Sequence, residues 1–106
     1  MSYEDAITAL ADPTRRMIID RLRSGALPVG AIAKGMTISR PAVSQHLRVL
    51  SDAGLLTVTP VGNRRLYAIA PQGVAGLRAY LDTLWDDSLA AFARAAQEKA
   101  KENNNA

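Results

Sequence analysis

Three residues in the middle of the chain have the types and spacing to read nucleic acid: Ser44, Gln45 and Arg48. On a helix, at about 100° per residue, they fall on one side together with Pro41. Guanidinium, hydroxyl and carboxamide groups match phosphate oxygens and base edges. No acid interrupts that face before Asp52, and a basic pair, Arg64-Arg65, follows a short way on. A solvated helix side has the same look, so this face alone leaves both readings open. Other chemistry is sparse. His46 is the sole histidine, and it stands at the flank of an apolar stripe, which favours a structural or hydrogen-bonding role over metal ligation. The absence of cysteine excludes disulfides, thiolate metal sites and thiol redox sensing. With no His paired to an acid and no phosphate-cradling glycine run, an enzyme is not expected. Asp82 and Asp86, one helical turn apart, with Glu4 or Asp5, are a low-ranked candidate for a hard cation. Such carboxylate pairs are far more often solvated, so the expectation is no metal site and no cofactor.

The elements that must hold these residues follow from periodicity and caps. Ser39 is an N-cap type and Pro41 is tolerated in a first helical turn, where its missing N–H has no partner to lose. Val43, Leu47 and Leu50 then make the buried stripe of a helix over 39–52. Val29 to Lys34 reads as a short helix with Val29, Ile32 and Ala33 inward, opened by Leu27-Pro28 and ended by Gly35. Helix, glycine turn and Ser-capped helix form a helix-turn-helix, whose second helix leads with its N-terminal residues into a major groove. Residues 55–70 alternate as a hairpin around Gly62-Asn63, with Tyr67 and Ile69 on one face and Pro60 at an edge. A hairpin in that place, with Arg64 and Arg65 at its tip, is a wing that can reach phosphates or a minor groove.

The flanking segments are helical. Tyr3 to Leu10 has Ile7 and Leu10 on one side, with Tyr3 behind them. Asp12-Pro13 starts a helix with Met17, Ile18, Ile19 and Leu22 expected inside, and Arg15 and Arg16 given structural rather than phosphate-binding roles. From Pro71, the residues Val74, Leu77, Leu81, Leu84, Trp85, Leu89 and Phe92 recur at threes and fours. Gly73 and Gly76 weaken the start, placing the regular part nearer Leu77, and the polar end from Gln97 is expected to fray. This helix is too apolar for so small a body. A homodimer that buries Tyr3, Ile7, Leu81, Trp85, Leu89 and Phe92 is the simplest solution.

Size and charge agree. The 106 residues suit one domain, over 1–100 with a polar tail at 101–106. The net charge is +3, but its distribution says more: Lys34, Arg40, Arg48, Arg64 and Arg65 face only Asp52 between positions 34 and 65. From Pro71 onward the balance is slightly acidic. No stretch is apolar for long enough to span a bilayer, and Met1 to Asp5 shows no export pattern, so the expected setting is cytoplasmic, with no membrane partner.

The runs ALADPTRRMIIDRL, VGAIAKGMTISRPAVSQHLRVLSDAGLL and VGNRRLYAI, in that order, resemble the ArsR-type family of bacterial winged-helix regulators. The resemblance covers about Ala9 to Ala70 and continues more loosely through Trp85. It implies a mainly α fold with a small β-hairpin: four helices, a wing and a fifth helix, dimerising through the terminal helices. It also implies binding of double-stranded DNA at a palindromic operator, usually in repression. Carried over by position, the DNA-facing set is Ser39, Arg40, Pro41, Ser44, Gln45, Arg48, Arg64 and Arg65. The chain departs from the family's metal sites. The stretch Val29-Gly30-Ala31-Ile32-Ala33 has no cysteine, and the last helix has Asp82, Asp86 and Asp87 but no histidine. The expectation is therefore a regulator that has lost metal sensing or answers to a small-molecule effector or protein partner. Two rivals remain: a winged-helix module that binds another protein through Trp85, Leu89 and Phe92, and a metal-responsive regulator using carboxylates.

Overall fold

The computed structural model describes residues 3–104. Five helices and three strands follow in the order α1 (Tyr3–Ala11), α2 (Pro13–Arg21), β1 (Leu27–Pro28), α3 (Val29–Ala33), α4 (Arg40–Asp52), β2 (Leu56–Val61), β3 (Arg64–Ile69) and α5 (Pro71–Asn104). The hairpin β2–β3 is joined on its other side by β1, giving an antiparallel sheet in the order β1-β3-β2. Two residues are too few to show a strand's alternation, so β1 was not legible as one. Pro28 lacks an N–H and is tolerated there because β1 is an edge.

The helix ends are set by local chemistry. Asp12 caps α2: its Oδ1 accepts from the amides of Thr14 at 2.8 Å and Arg15 at 3.2 Å. Those amides, Arg15 foremost, hold the Asp12 carboxyl below its ordinary pKa against the opposing effect of burial. The last four carbonyls of α1 have no helical partner. Arg15 and Arg16 donate to two of them each. Arg15 Nε donates to Ala9 O at 2.6 Å and its Nη2 to Thr8 O at 3.4 Å. Arg16 Nη1 donates to Leu10 O at 2.8 Å and Ala11 O at 3.0 Å. The structural role expected for both arginines is therefore to close α1 and fix its angle to α2. Helix α4 ends in a Schellman motif, with Gly54 N bonded to Ser51 O and Leu55 N to Leu50 O, and Gly54 at φ +80°.

The core is built from Ile18, Leu22, Ile32, Val43, Leu47, Leu50 and Leu55, with Ala6 and Ala9 of α1 packed onto it. Sequence expectations for α2 and for both ends of α5 need correction. Met17 is 49% exposed, because α2 buries the i, i+4 pair Ile18 and Leu22 and Met17 lies about 100° away. In α1 the body is met by the small residues Ala6 and Ala9, which allow a close approach, while Ile7 points outward. Helix α5 starts at Pro71, not near Leu77. A Cβ on Gly73 would overlap the carbonyl oxygen of Gly54, so the glycine there allows the first turn of α5 to seat against the end of α4. At the other end α5 stays helical to Asn104, through the stretch expected to fray, since Glu, Lys, Gln and Ala are all good helix formers. Asn105 and Ala106 lie outside the described residues, as do Met1 and Ser2.

Candidate nucleic-acid interface

Helix α4 divides as its sequence predicts. Val43, Leu47 and Leu50 have no solvent exposure, while Arg40, Pro41, Ser44, Gln45 and Arg48 are exposed on the other side. Ser39 Oγ accepts from the amide of Ala42 at 3.3 Å, which fixes the first turn. Arg48 Nε stands 4.0 Å from Asp52, but both side chains are largely in solvent, so the pair holds the guanidinium only weakly.

The hairpin brings its two arginines to the same region. Gly62 takes φ +61° and Asn63 keeps a negative φ, the pattern of a type II′ turn. Strand pairing runs from Leu56↔Ile69 to Val61↔Arg64, with Pro60 opposite Arg65 on edge strand β2. Arg64 and Arg65 are exposed at the tip. Together with Arg40 and Tyr67 they border one groove beside the start of α4. The Arg40 guanidinium lies over α3 at Gly30, 3.8 Å from where a Cβ would stand, an ordinary van der Waals contact. A second groove separates α4 from the hairpin and is lined by Ser44, Arg48, Ser51, Val58, Arg65 and Tyr67. The fold thus gathers Arg40, Ser44, Arg48, Arg64 and Arg65 around two adjoining grooves, while Gln45 lines a third, next to Ser44 and Arg48 on the other flank of α4. Tyr67 belongs to the first two, and reading the sequence alone did not single it out. Its pairing with Arg65 at i, i+2 on β3 was the available signal.

His46 is half-buried on α4, with Nδ1 3.4 Å from Arg15 Nη1. When that nitrogen carries no proton it accepts from the guanidinium. Arg15 therefore links the end of α1 to the recognition helix.

The second set of candidates lies away from these grooves. Tyr3 stacks on Tyr80 with ring centroids 5.0 Å apart, joining α1 to α5. Beyond Tyr80, α5 leaves the body, and every residue from 81 to 103 is exposed. Ile7, Leu81, Trp85, Leu89 and Phe92 are among them or beside them, with Trp85 63% and Phe92 72% exposed. Leu84, at 45%, adds to this face. Asp82 and Asp86 are exposed on the same helix. Among the described residues, no group of three His, Cys, Asp or Glu side chains comes together in a way that could hold a metal ion. Nor is any described helix long and apolar enough to cross a membrane.

Known proteins share this arrangement. A family model described as a helix-turn-helix domain matches residues 10–59. The HTH-type transcriptional regulator Rv2034 of Mycobacterium tuberculosis is 48% identical over 93 residues, which are 88% of this chain and 87% of that protein. The arsenical resistance operon repressor of Staphylococcus xylosus is 33% identical over 72 residues, covering 65% of this chain and 69% of the relative. Among solved structures, an ArsR family transcriptional regulator superposes with a TM-score of 0.69 at 31% identity, over 78% of this chain and 94% of its own. The homodimeric winged helix-turn-helix DNA-binding domain of Mb0332 from Mycobacterium bovis gives 0.64 at 32% identity, over 79% and 78%.

Proposed function

The chain belongs to the ArsR-type family of winged helix-turn-helix transcriptional regulators, and we propose that within it this protein is a homodimeric repressor of a palindromic operator, switched by something other than a Cys/His-bound metal. The observation that carries the reading is the convergence of Arg40, Ser44 and Arg48 of α4 with Arg64 and Arg65 of the wing around two adjoining grooves, with Gln45 exposed beside Ser44 and Arg48. In this reading α4 lies in the major groove. Gln45 and Arg48 meet base edges, Gln and Arg being the types that bond adenine and guanine in two places. Ser39, Arg40, Pro41 and Ser44 pack along the backbone at the entry to the groove, and Arg64 and Arg65 take phosphates or the adjacent minor groove.

Dimerisation follows from the unpartnered face of α5, with Tyr3 and Ile7 of α1 at its margin. A two-fold axis between two α5 helices makes the two recognition helices read the same sequence in opposite directions, hence a palindrome. The homodimeric DNA-binding domain from M. bovis and the repressor from S. xylosus support the assembly and the direction of regulation. The absence of cysteine, and of histidine from α5, leaves the family's usual metal ligands unfilled. That absence supports a regulator that has lost metal sensing or answers to a different ligand or partner protein. A footprint on the DNA upstream of its own gene tests this proposal. Two protected half-sites related by a dyad and spaced by about one helical turn, 10 base pairs, or a multiple of it, are expected. A single asymmetric protected patch would contradict the dimer on a palindrome.

A further inference from the structure

B-DNA separates its major and minor grooves by a sugar–phosphate strand. A protein with one helix in the major groove and a hairpin toward the neighbouring minor groove must straddle that strand. Here the straddled space is the groove between α4 and the hairpin, with Ser44 and Arg48 on one wall and Val58, Arg65 and Tyr67 on the other. Tyr67 sits on β3, the central strand, opposite both Val58 and Leu27. It is half-buried, and part of the side chain packs against the core, so its position is rigid. Its hydroxyl makes no hydrogen bond to the protein among the described residues. A groove walled by two arginines and bordered by the unmatched hydroxyl of Tyr67 suits a polar, anionic occupant rather than an apolar one.

We propose that Tyr67 is a DNA-contacting residue: its hydroxyl donates to a backbone phosphate of the strand seated between α4 and the wing, beside Arg65. The assignment rests on the DNA-binding reading above and adds to it a neutral contact on a rigid strand. Arg65, at the mobile end of a long side chain, supplies charge. Tyr67 supplies a fixed point that sets how deeply the strand enters.

The test compares Tyr67→Phe and Arg65→Ala with the wild type on two duplexes, the DNA upstream of its own gene and a random sequence, across a salt series. Tyr67→Phe keeps the ring, and an unchanged melting temperature checks that the fold is intact. Binding should weaken about ten- to a hundred-fold on both duplexes alike, the loss expected for one hydrogen bond to a charged acceptor. The salt slope should not change, because a neutral hydroxyl displaces no counterion, whereas Arg65→Ala should lower it by about one. Wild-type binding with no effect of Tyr67→Phe would overturn the assignment and leave the DNA-binding reading standing. A loss confined to the upstream duplex would also overturn it, since a phosphate contact carries no sequence preference. If the wild type bound neither duplex, the underlying reading would fall and the assignment with it.

Discussion

Gln45 and Arg48 differ from Arg65 in what their loss should do. In the proposed reading Arg48 meets base edges, so Arg48→Ala should lower the preference for the operator over random DNA by about 1–3 kcal/mol if the contact is bidentate. Arg65 is proposed to meet phosphate, so Arg65→Ala should weaken both nearly equally. Competition binding on the two duplexes separates them, and equal losses for both variants would sink the division of roles. Ser39 acts one step back. Its hydroxyl holds the first turn of α4, so Ser39→Ala should cost about 1 kcal/mol of stability in a denaturant melt, and Ser39→Asp should recover it. These residues were legible in the sequence because cap, stripe and polar face recur at one helical period. Tyr67 was not. A tyrosine in a strand reads equally as core or surface until the neighbouring groove is seen.

Among the elements, the junction between α1 and α2 shows how a motif acquires physical meaning. In the run Ala11-Asp12-Pro13-Thr14-Arg15-Arg16, the aspartate caps the second helix and the arginines close the first. The sequence pattern shows the cap but not the arginines' acceptors, which are backbone carbonyls and leave no trace in residue types. Asp12 makes this junction sensitive to acid. Its pKa is lowered in the folded state, so its stabilising effect is complete above its ordinary value of about 4 and is lost as pH falls through the lowered one. Asp12→Asn should therefore show a flatter decline of melting temperature below about pH 4 than the wild type. Identical declines would remove Asp12 from the account. Gly73 is a second junction. Gly73→Ala forces α5 away from the Gly54 carbonyl and should destabilise by about 1–3 kcal/mol, as overpacking does. The sequence marks Gly73 only as a weak helix residue; its use appears once the end of α4 is placed against it.

On the scale of the whole molecule, the DNA-facing side and the projecting α5 divide the labour. The molecule extends 74 Å along its long axis and 27 by 22 Å across, because about two thirds of α5 stands clear of the body. The apolar periodicity of this helix was plain in the sequence, and so was the excess it leaves unburied. Its start and end were not, because glycine spacing and polar composition mimic a frayed terminus. If Trp85 anchors the dimer, Trp85→Glu should sediment as a folded monomer and bind a half-site only weakly. An unchanged dimer would place the interface elsewhere. The central claim is that the side formed by α4 and the wing binds double-stranded DNA by sequence. It is tested most directly by measuring the affinity of the purified protein for its own upstream DNA and for random DNA at two salt concentrations, with and without a panel of divalent metals. A preference for the upstream DNA, affinity that falls steeply with salt through counterion release, and no response to the metals are expected. Equal, salt-insensitive affinity for both duplexes, or none for either, would contradict it.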